Sequence, residues 1–156
     1  MLLSELLNPQ ALQPRLKGRI KREVLVELVE LLESAHGIHS QGEILDRVLR
    51  REGMMSTGIG NGVAIPHGKA RAVDRMVAAC GVASPGIDFE SVDGEPATLF
   101  ILLVSPEAVG APHVRVLANI SRLLKEEPVR EQLRACTSAD DFLSTLRLAE
   151  ARLITT

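Results

Sequence analysis

Apolar residues recur at helical spacing early in the chain. Between Arg19 and Ala35 they fall three and four residues apart, which predicts an amphipathic helix, and Gly37 supplies its end. The apolar positions of this helix are Ile20, Val24, Leu28, Leu31, Leu32 and Ala35. Ser40 and Glu43 have the spacing of a capping box and predict the start of a second helix. This second helix ends near Arg51 and carries on one side Ile44, Leu45, Val48 and Leu49.

The last third of the chain is also helical by its pattern. Pro112 suits the first turn of a helix that ends near Glu126, because a proline there removes no helical hydrogen bond. One face of this helix is predicted to hold Val114, Leu117, Ala118, Ser121 and Leu124. Pro128 starts a short helix through about Ala135, and Ser138 is the predicted N-cap of a last helix. The apolar residues of the last helix are Phe142, Leu143 and Leu146.

Continuous apolar runs in the middle of the chain predict strands. Met76–Ala83 is a buried strand by this criterion, and Ser84-Pro85-Gly86 ends it. Ala97–Val104 is apolar on both faces, which is typical of a central strand covered by helices on each side. Val63–Ile65 and Ile87–Phe89 are predicted as two shorter strands.

Helices and strands interleave along the chain, without internal repeats, low-complexity segments or linkers. This order predicts an α/β protein with a single mixed β-sheet flanked by helices on both faces. A chain of 156 residues can bury one proper core and is too short for two ordinary domains, so we expect a single domain over residues 1–156.

Composition restricts the partners and the compartment. Charged residues make up 24% of the chain and the net charge is −2, which favours neither nucleic acid nor an anionic membrane as a partner. Tryptophan and tyrosine are absent, which argues against base stacking. No apolar run is long enough for a membrane span, and the N-terminus lacks the features of a signal peptide. Because Cys80 and Cys136 are isolated, we expect buried thiols and a cytoplasmic protein.

The segment Arg51–Lys69 (REGMMSTGIGNGVAIPHGK) carries the candidate chemistry. Three glycines within five residues suit a backbone with positive φ or the close approach of another group. Pro66 fixes the backbone ahead of His67, so that His67 leaves the strand in a defined direction. An imidazole on such a scaffold is either a structural group that bonds a backbone carbonyl or a nucleophile held in one orientation.

Several other kinds of site fail on spacing. The glycines of GIGNG do not form GxGxxG, and the distance from Gly62 to Gly68-Lys69 is one residue too long for a phosphate-binding loop. Neither cysteine neighbours a histidine, and no GxSxG elbow is present. His36 and His39 lie three residues apart but lack further ligands, so we interpret them as solvated loop residues. No metal or cofactor is predicted.

The stretch STGIGNGVAIPHGK, preceded by Arg51-Glu52, closely resembles the active-site segment of the fructose/mannitol-type enzyme IIA proteins of the bacterial phosphoenolpyruvate-dependent phosphotransferase system. Within that family the chain looks most like the nitrogen-regulatory branch, and the similarity extends over nearly its whole length. The resemblance implies the same α/β architecture. It also implies a phosphocarrier that receives phosphate from a small histidine phosphocarrier protein and either passes it on or signals by its phosphorylation state.

The resemblance also suggests a role for individual residues. His67 matches the phosphorylated histidine of the IPH motif, and His113 matches a second histidine that lies beside it at the start of a helix. The family pattern HLxxL reads here with Val114 in place of leucine, a change that we expect to affect packing. Arg51 matches an arginine that faces the cleft, where it would neutralise charge; alternatively, it interacts with the C-terminal dipole of its own helix.

Four residues of the glycine-rich turn are weaker candidates for supporting the bound phosphate. They are Thr57, Gly60, Asn61 and Gly62. Serine, threonine and asparagine in such turns also bond their own backbone, and that alternative stays open.

Two other functions compete with phosphate transfer. The chain could be a regulatory module that docks on target proteins, with vestigial phosphorylation, or a metal-dependent hydrolase that uses His67, His113 and one carboxylate. The absence of a membrane segment and of a second domain favours a free-standing regulator over a fused transporter component. Possible targets are an enzyme IIB of a transporter and regulatory proteins.

A phosphocarrier must meet its donor over a small apolar surface around the reacting histidine. The residues that flank the site are Met54, Met55, Val109, Ala111 and Val114. Adjacent residues in an extended segment point in opposite directions, so we expect one of the two methionines to be exposed near His67.

Overall fold

The computed structural model describes residues 1–154 and contains one mixed sheet of six strands. In chain order the strands are β1 (Leu12–Gln13), β2 (Gly58–Gly60), β3 (Val63–Ala64), β4 (His67–Ala70), β5 (Val77–Ile87) and β6 (Ala97–Pro106). Their order across the sheet is β1-β5-β6-β3-β2, and β4 also pairs with β6. The β5 and β6 strands are antiparallel, whereas β3 and β4 run parallel to β6 and β1 runs parallel to β5.

Five α-helices cover this sheet. They are α1 (Lys21–His36), α2 (Glu43–Met54), α3 (Ala111–Leu123), α4 (Glu127–Ala135) and α5 (Ala139–Leu153). The α1 and α2 helices pack on each other and against β5 and β4, respectively. The α4 helix packs against β6 and α5, and α5 also contacts α3 and β1. The predicted class, a single mixed sheet with helices on both faces, is confirmed.

The core is centred on β6, the strand that the sequence predicts best. Every residue from Leu99 to Val104 is at most 1% exposed. Full burial of a leucine or isoleucine side chain stabilises a fold by roughly 1.5–3 kcal/mol, so this strand is a major source of stability. Any residue that pairs with its backbone is thereby held in a well-defined position.

Strands β3 and β4 lie one after the other along the same edge of β6. Val63 pairs with Leu99, and His67 pairs with Leu103. Between the two strands, the N–H of Leu103 donates to the carbonyl oxygen of Pro66 at 3.1 Å. The sequence predicted a strand only as far as Ile65. HGKA has little β-propensity of its own, and its pairing with β6 makes it a strand.

Other details of the strands also differ from prediction. The two residues of β1 were not predicted, because so short a strand leaves no periodicity. The β5 strand continues past the predicted break at Ser84 and ends at Ile87, with a shift of register between Val82 and Ile87. The prediction of a separate strand over Ile87–Phe89 is therefore wrong.

The buried face of α3 also differs from prediction. Val114 is 64% exposed, and the buried residues of the helix are His113, Val116, Ile120 and Leu123. The sequence of α3 contains two neighbouring stripes, one that begins at Val114 and one that begins at His113. Because the ring of His113 packs inwards against Ser105, the stripe in line with His113 faces the core.

The ends of the helices test the predicted caps. Gly37 ends α1 in the left-handed conformation, and Ser138 accepts the N–H of Asp141 at 3.1 Å, so both predictions are confirmed. The capping box of Ser40 and Glu43 is wrong, because the Glu43 carboxylate accepts the N–H groups of Arg71 and Ala72. Ser40 instead bonds to the carboxylate of Glu33 and to the N–H of Ile44.

The two histidines near the end of α1 have different environments. His39 is exposed, as predicted. His36 is not a solvated loop residue, because its Nε2 lies 2.9 Å from the carbonyl oxygen of Ala78 and ties α1 to β5. Within residues 1–154, no three side chains of the types that ligate metals come together. No helix in the same range has the length and apolar character that crossing a bilayer requires.

Candidate active site

His67 opens β4 with one ring nitrogen held by the backbone. Its Nδ1 lies 2.9 Å from the carbonyl oxygen of Ile65. A carbonyl oxygen can only accept, so Nδ1 carries the proton and Nε2 keeps its lone pair. The strand pairing of β4 and the fixed φ of Pro66 hold the ring in this orientation. The alternative of a purely structural histidine accounts for Nδ1 and leaves Nε2 without a role.

The surroundings of His67 keep its ring neutral. Burial of the half-buried side chain lowers the pKa of His67, against the opposing influence of the Ile65 carbonyl. The nearby charge of Arg51 lowers this pKa further, and Glu52 raises it. A neutral imidazole with a free Nε2 is a nucleophile at neutral pH.

His113 lies beside His67 in the first turn of α3. The two ring centroids are 5.6 Å apart with an interplanar angle of 60°. The side chain of His113 is 6% exposed, and its Nδ1 lies 2.6 Å from the hydroxyl oxygen of Ser105 on β6. Burial, together with the charges of His67 and Lys69, lowers the pKa of His113 to about 4. Both histidines are therefore uncharged at neutral pH.

A pocket of about 410 Å³ opens in front of the two rings. Its lining residues are Arg47, Arg50, Arg51, Met54, His67, Gly68, Lys69 and His113. Four of them are cations and none is acidic. Such a lining favours an anionic group next to His67.

The four cations differ in their carboxylate partners. Arg47 pairs with Glu107 at 2.7 Å, and Arg50 pairs with Asp46 at 3.2 Å. Arg51 and Lys69 have no carboxylate within 4.0 Å among residues 1–154. Two uncompensated positive charges therefore face the pocket, which matches the charge of about −2 on a phosphoryl group at neutral pH.

The two alternatives for Arg51 describe the same side chain. Its Nη1 donates to the carbonyl oxygen of Met55, just beyond the C-terminus of α2, at 2.9 Å. It also lines the pocket and lowers the pKa of His67. The helix end thus fixes one edge of the guanidinium group while its charge acts in the pocket.

Sequence reasoning missed four polar residues that the structure brings to the site: Arg47, Arg50, Lys69 and Ser105. Lys69 is two residues from His67 on one strand, and the alternation of side chains could have predicted that both share a face. Arg47 is one helical turn before Arg51, and this spacing could have predicted that both lie on the same face of α2. Ser105 had no such signal, because nothing in the sequence shows that the end of β6 contacts the start of α3.

Thr57 lies outside the pocket but holds the backbone next to His67. The carboxylate of the buried Glu52 accepts both the N–H and the hydroxyl of Thr57, at 2.9 and 2.5 Å, respectively. The carbonyl oxygen of Thr57 accepts the N–H of Ile65 at 3.0 Å, and Ile65 in turn holds His67. Lys21 pairs with Glu52 at 3.0 Å and completes this chain of contacts.

Gly60, Asn61 and Gly62 do not come together with His67. They form the turn between β2 and β3, with φ values of 96°, 59° and 75°. The next strand residue, Val63, pairs with Leu99, four residues along β6 from the partner of His67, which is roughly 13 Å at 3.3 Å per residue. None of these three residues is among those that line the pocket at His67, so the structure gives their predicted support of a phosphate no geometric basis, and that role stays a prediction. The glycines serve the positive φ of a tight turn, and the N–H of Asn61 donates to Asp93.

The residues predicted to flank the site are mostly exposed. Met54 is 81% exposed and lines the pocket with His67, which confirms that one of the two methionines is exposed there, although the expected extended segment is wrong because Met54 is the last residue of α2. Met55 is also exposed, at 69%, but it lines a neighbouring depression beside Lys21 and Glu52. Ala111 and Val114 are exposed, whereas Val109 packs partly against the core.

The fold and the site together define a class of protein. An open, cation-lined pocket with an oriented, uncharged imidazole suits the acceptance of a phosphoryl group from another macromolecule. Such a site fits the class of the phosphocarrier proteins.

Comparison with known proteins identifies the family. Residues 5–148 match the family model described as "Phosphoenolpyruvate-dependent sugar phosphotransferase system, EIIA 2", and the chain belongs to this family. It is 36% identical to a nitrogen regulatory protein of Bradyrhizobium diazoefficiens over 151 residues, which cover 97% of this chain and 98% of that protein. It is 33% identical to the fructose-specific EIIABC component of Bacillus subtilis over 94% of this chain, which spans only 23% of that longer protein.

Solved structures agree with this assignment. The structure of the nitrogen regulatory protein IIA-Ntr from Neisseria meningitidis superposes with a TM-score of 0.82 at 26% identity, over 92% of this chain and 97% of that one. The IIA mannitol structure from Escherichia coli has the same fold, with a TM-score of 0.76 over 90% of this chain and 98% of that one, at 24% identity. The chain is thus a component of phosphotransferase systems of the EIIA 2 type.

Proposed function

We propose that this protein accepts a phosphoryl group on Nε2 of His67 from a phosphohistidine of a small histidine phosphocarrier protein. The observation that carries the proposal is the free, unprotonated Nε2 of His67 in a pocket with two uncompensated cations. The EIIA 2 family membership supports it independently.

The reaction exchanges one phosphorus–nitrogen bond for another. The lone pair of Nε2 attacks phosphorus, the bond from phosphorus to the donor imidazole breaks, and the donor ring leaves as a neutral imidazole that keeps its own N–H. No proton is transferred, because the attacking nitrogen carries none. The positive charge that the ring of His67 gains is shared with Nδ1–H, whose partner is the carbonyl oxygen of Ile65. Arg51 and Lys69 neutralise the phosphoryl oxygens.

We infer that the role is regulatory and that the protein works in the cytoplasm, where its donor would be found. The nitrogen regulatory protein of Bradyrhizobium diazoefficiens matches this chain over nearly the full length of both. A transporter enzyme IIB is the other candidate acceptor, since an enzyme IIA of the same fold forms a complex with a phosphorylated enzyme IIB in the mannitol system of Escherichia coli.

The test is uptake of acid-labile phosphate from a phosphorylated histidine phosphocarrier protein. We expect one phosphate per chain in the wild type and none in His67→Ala, with unchanged circular dichroism. The matched control is His39→Ala, which removes an exposed histidine and should take up phosphate normally. Stable phosphate in His67→Ala would overturn the assignment of the acceptor.

His113 is a helper in this proposal. Its place in the first turn of α3 favours an anion next to it, while its burial leaves His67 as the accessible nucleophile. We expect His113→Ala to take up phosphate and to pass it on more slowly than the wild type does. A wild-type protein that binds targets but never takes up phosphate would instead support the regulatory binding module.

A further inference from the structure

Ser105 places a buried hydroxyl directly behind His113. The residue lies near the end of β6 and has no solvent exposure. Its hydroxyl oxygen is 2.6 Å from Nδ1 of His113, a short and well-formed hydrogen bond between β6 and α3. Among residues 1–154 this is the only hydrogen bond that the Ser105 side chain makes.

The direction of this hydrogen bond decides the tautomer of His113. If Nδ1–H donated to Ser105, the hydroxyl proton of Ser105 would be buried without an acceptor. Leaving a buried donor unsatisfied is costly, and it should disfavour this tautomer by roughly tenfold or more relative to the other. If the hydroxyl donates to Nδ1 instead, both groups are satisfied, and the single proton of the neutral ring must reside on Nε2.

The tautomer matters because of what His113 faces. The ring lines the pocket beside His67, and its centroid is 5.6 Å from that of His67. A phosphoryl group on His67 presents only acceptor oxygens to its neighbours. A lone pair on Nε2 of His113 would repel these oxygens, whereas an N–H at the same position can donate to them.

We propose that Ser105 is a positioning residue: its hydroxyl holds His113 as the tautomer protonated at Nε2, so that His113 donates a hydrogen bond to the phosphoryl group on His67. The tautomer itself follows from the contact between Ser105 and His113. Its role in transfer rests on the proposed function of His67.

The protonation of each ring nitrogen can be read directly by nitrogen NMR of the full-length protein. In the wild type at pH 7 we expect His113 to be protonated at Nε2 alone, and His67 to be protonated at Nδ1 alone because of Ile65. A wild-type His113 protonated mainly at Nδ1 would overturn the proposal, and this measurement needs no variant.

The variant Ser105→Ala removes the hydroxyl donor. We expect its His113 to lose the preference for one tautomer. The rate of phosphoryl transfer at His67 should fall about three- to tenfold, which is the effect of losing one hydrogen bond. Ser105→Thr retains a hydroxyl and should restore both readouts. Ser121→Ala, a change at an exposed serine on α3, is the matched control and should change neither.

The outcomes separate this proposal from the proposed function. If Ser105→Ala keeps the wild-type tautomer and rate, Ser105 does not position His113. If the wild type takes up no phosphate although His113 is protonated at Nε2, the function proposed for His67 is wrong. The inference that Ser105 determines the tautomer of His113 would still stand.

Discussion

At the scale of single residues, the partners of each ring decide which of its nitrogens can react. His67 and His113 are both neutral, yet the carbonyl oxygen of Ile65 and the hydroxyl of Ser105 hold them in opposite ways. On the tautomers inferred above, one ring presents a lone pair to the pocket and the other presents an N–H. In the proposed mechanism the same residue type would therefore serve as nucleophile and as donor, according to which group bonds its Nδ1.

Lys69 should matter more than Arg50 for phosphoryl uptake. Both line the pocket, but among residues 1–154 only Arg50 has a carboxylate partner, Asp46. We expect Lys69→Gln to slow uptake roughly tenfold, the equivalent of one charge-assisted hydrogen bond. The control Arg50→Gln should stay within about twofold of the wild type. Initial rates with a phosphorylated donor test this, and equal losses in the two variants would contradict it.

The low pKa of His113 predicts how stability depends on pH. The pKa is about 4 in the folded protein and 6.5 in an exposed histidine, so between these values the unfolded chain binds a proton that the native protein does not. The free energy of unfolding must then rise with pH across this window and level off above pH 6.5.

The measurement compares the wild type with His113→Gln in urea at pH 5 and pH 7. Titrating groups that do not interact with His113 contribute equally to both proteins. We expect the wild type to gain about 2 kcal/mol more than the variant between the two pH values. The same gain in both proteins would show that His113 is not the group responsible.

At the scale of secondary-structure elements, the site depends on contacts that join distant parts of the chain. Glu52, near the end of α2, binds Lys21 at the start of α1 and both polar groups of Thr57 just ahead of β2. Thr57 in turn fixes Ile65 between β3 and β4. The backbone carbonyl that orients His67 is therefore held by two helices.

The buried carboxylate of Glu52 should therefore stabilise the fold. Glu52→Gln keeps the size of the side chain but weakens its bonds to Thr57 and its pairing with Lys21. We expect a loss of about 1–3 kcal/mol in the free energy of unfolding, measured in urea. The control Glu30→Gln changes an exposed glutamate of α1 and should remain within about 0.5 kcal/mol. A Glu52→Gln protein as stable as the wild type would show that the carboxylate contributes nothing.

The difference between local pattern and contacts with distant parts of the chain explains which elements the sequence could predict. The β6 strand and the helices have long apolar patterns of their own, and local pattern is sufficient for them. The β4 strand has no such pattern, because its conformation comes from pairing with a strand about 35 residues away. The buried stripe of α3 depended on where His113 packs, which is again a tertiary contact.

The site shows the same division between local and tertiary information. His67, His113 and Arg51 were predicted from the resemblance to a family, and Lys69 could have been found from strand alternation. Ser105 and the link through Glu52 depend on contacts between elements, which no local spacing records. The glycine-rich turn lies close to His67 in sequence but does not line its pocket, because the short β3 strand separates the two.

At the scale of the whole molecule, the charge is unevenly distributed. The net charge is −2, yet the pocket at His67 is lined by four cations and no acid. Exposed apolar side chains, Met54 and Val114, accompany this basic site. A small apolar contact next to a charged centre suits a transient encounter with a phosphorylated protein.

The exposed Met54 should contact the donor. We expect Met54→Glu to weaken donor binding at least about fivefold, because the variant places a negative charge where an anionic group must approach, and to leave the fold intact. The control Leu148→Glu makes the same kind of change at an exposed leucine of α5 that does not line the pocket. Uptake rates as a function of donor concentration test the pair. Unchanged rates in Met54→Glu would show that the donor docks elsewhere.

Because β3 and β4 are both anchored on β6, the backbone on either side of His67 opens only together with the core of the sheet. Leu103, the partner of His67, is itself fully buried, and its N–H is bonded to Pro66. A phosphoryl group on His67 therefore adds charge to the surface while the backbone beneath it stays in place. We expect the two states of the protein to share one shape, so that a protein which distinguishes them must sense electrostatic potential and not conformation.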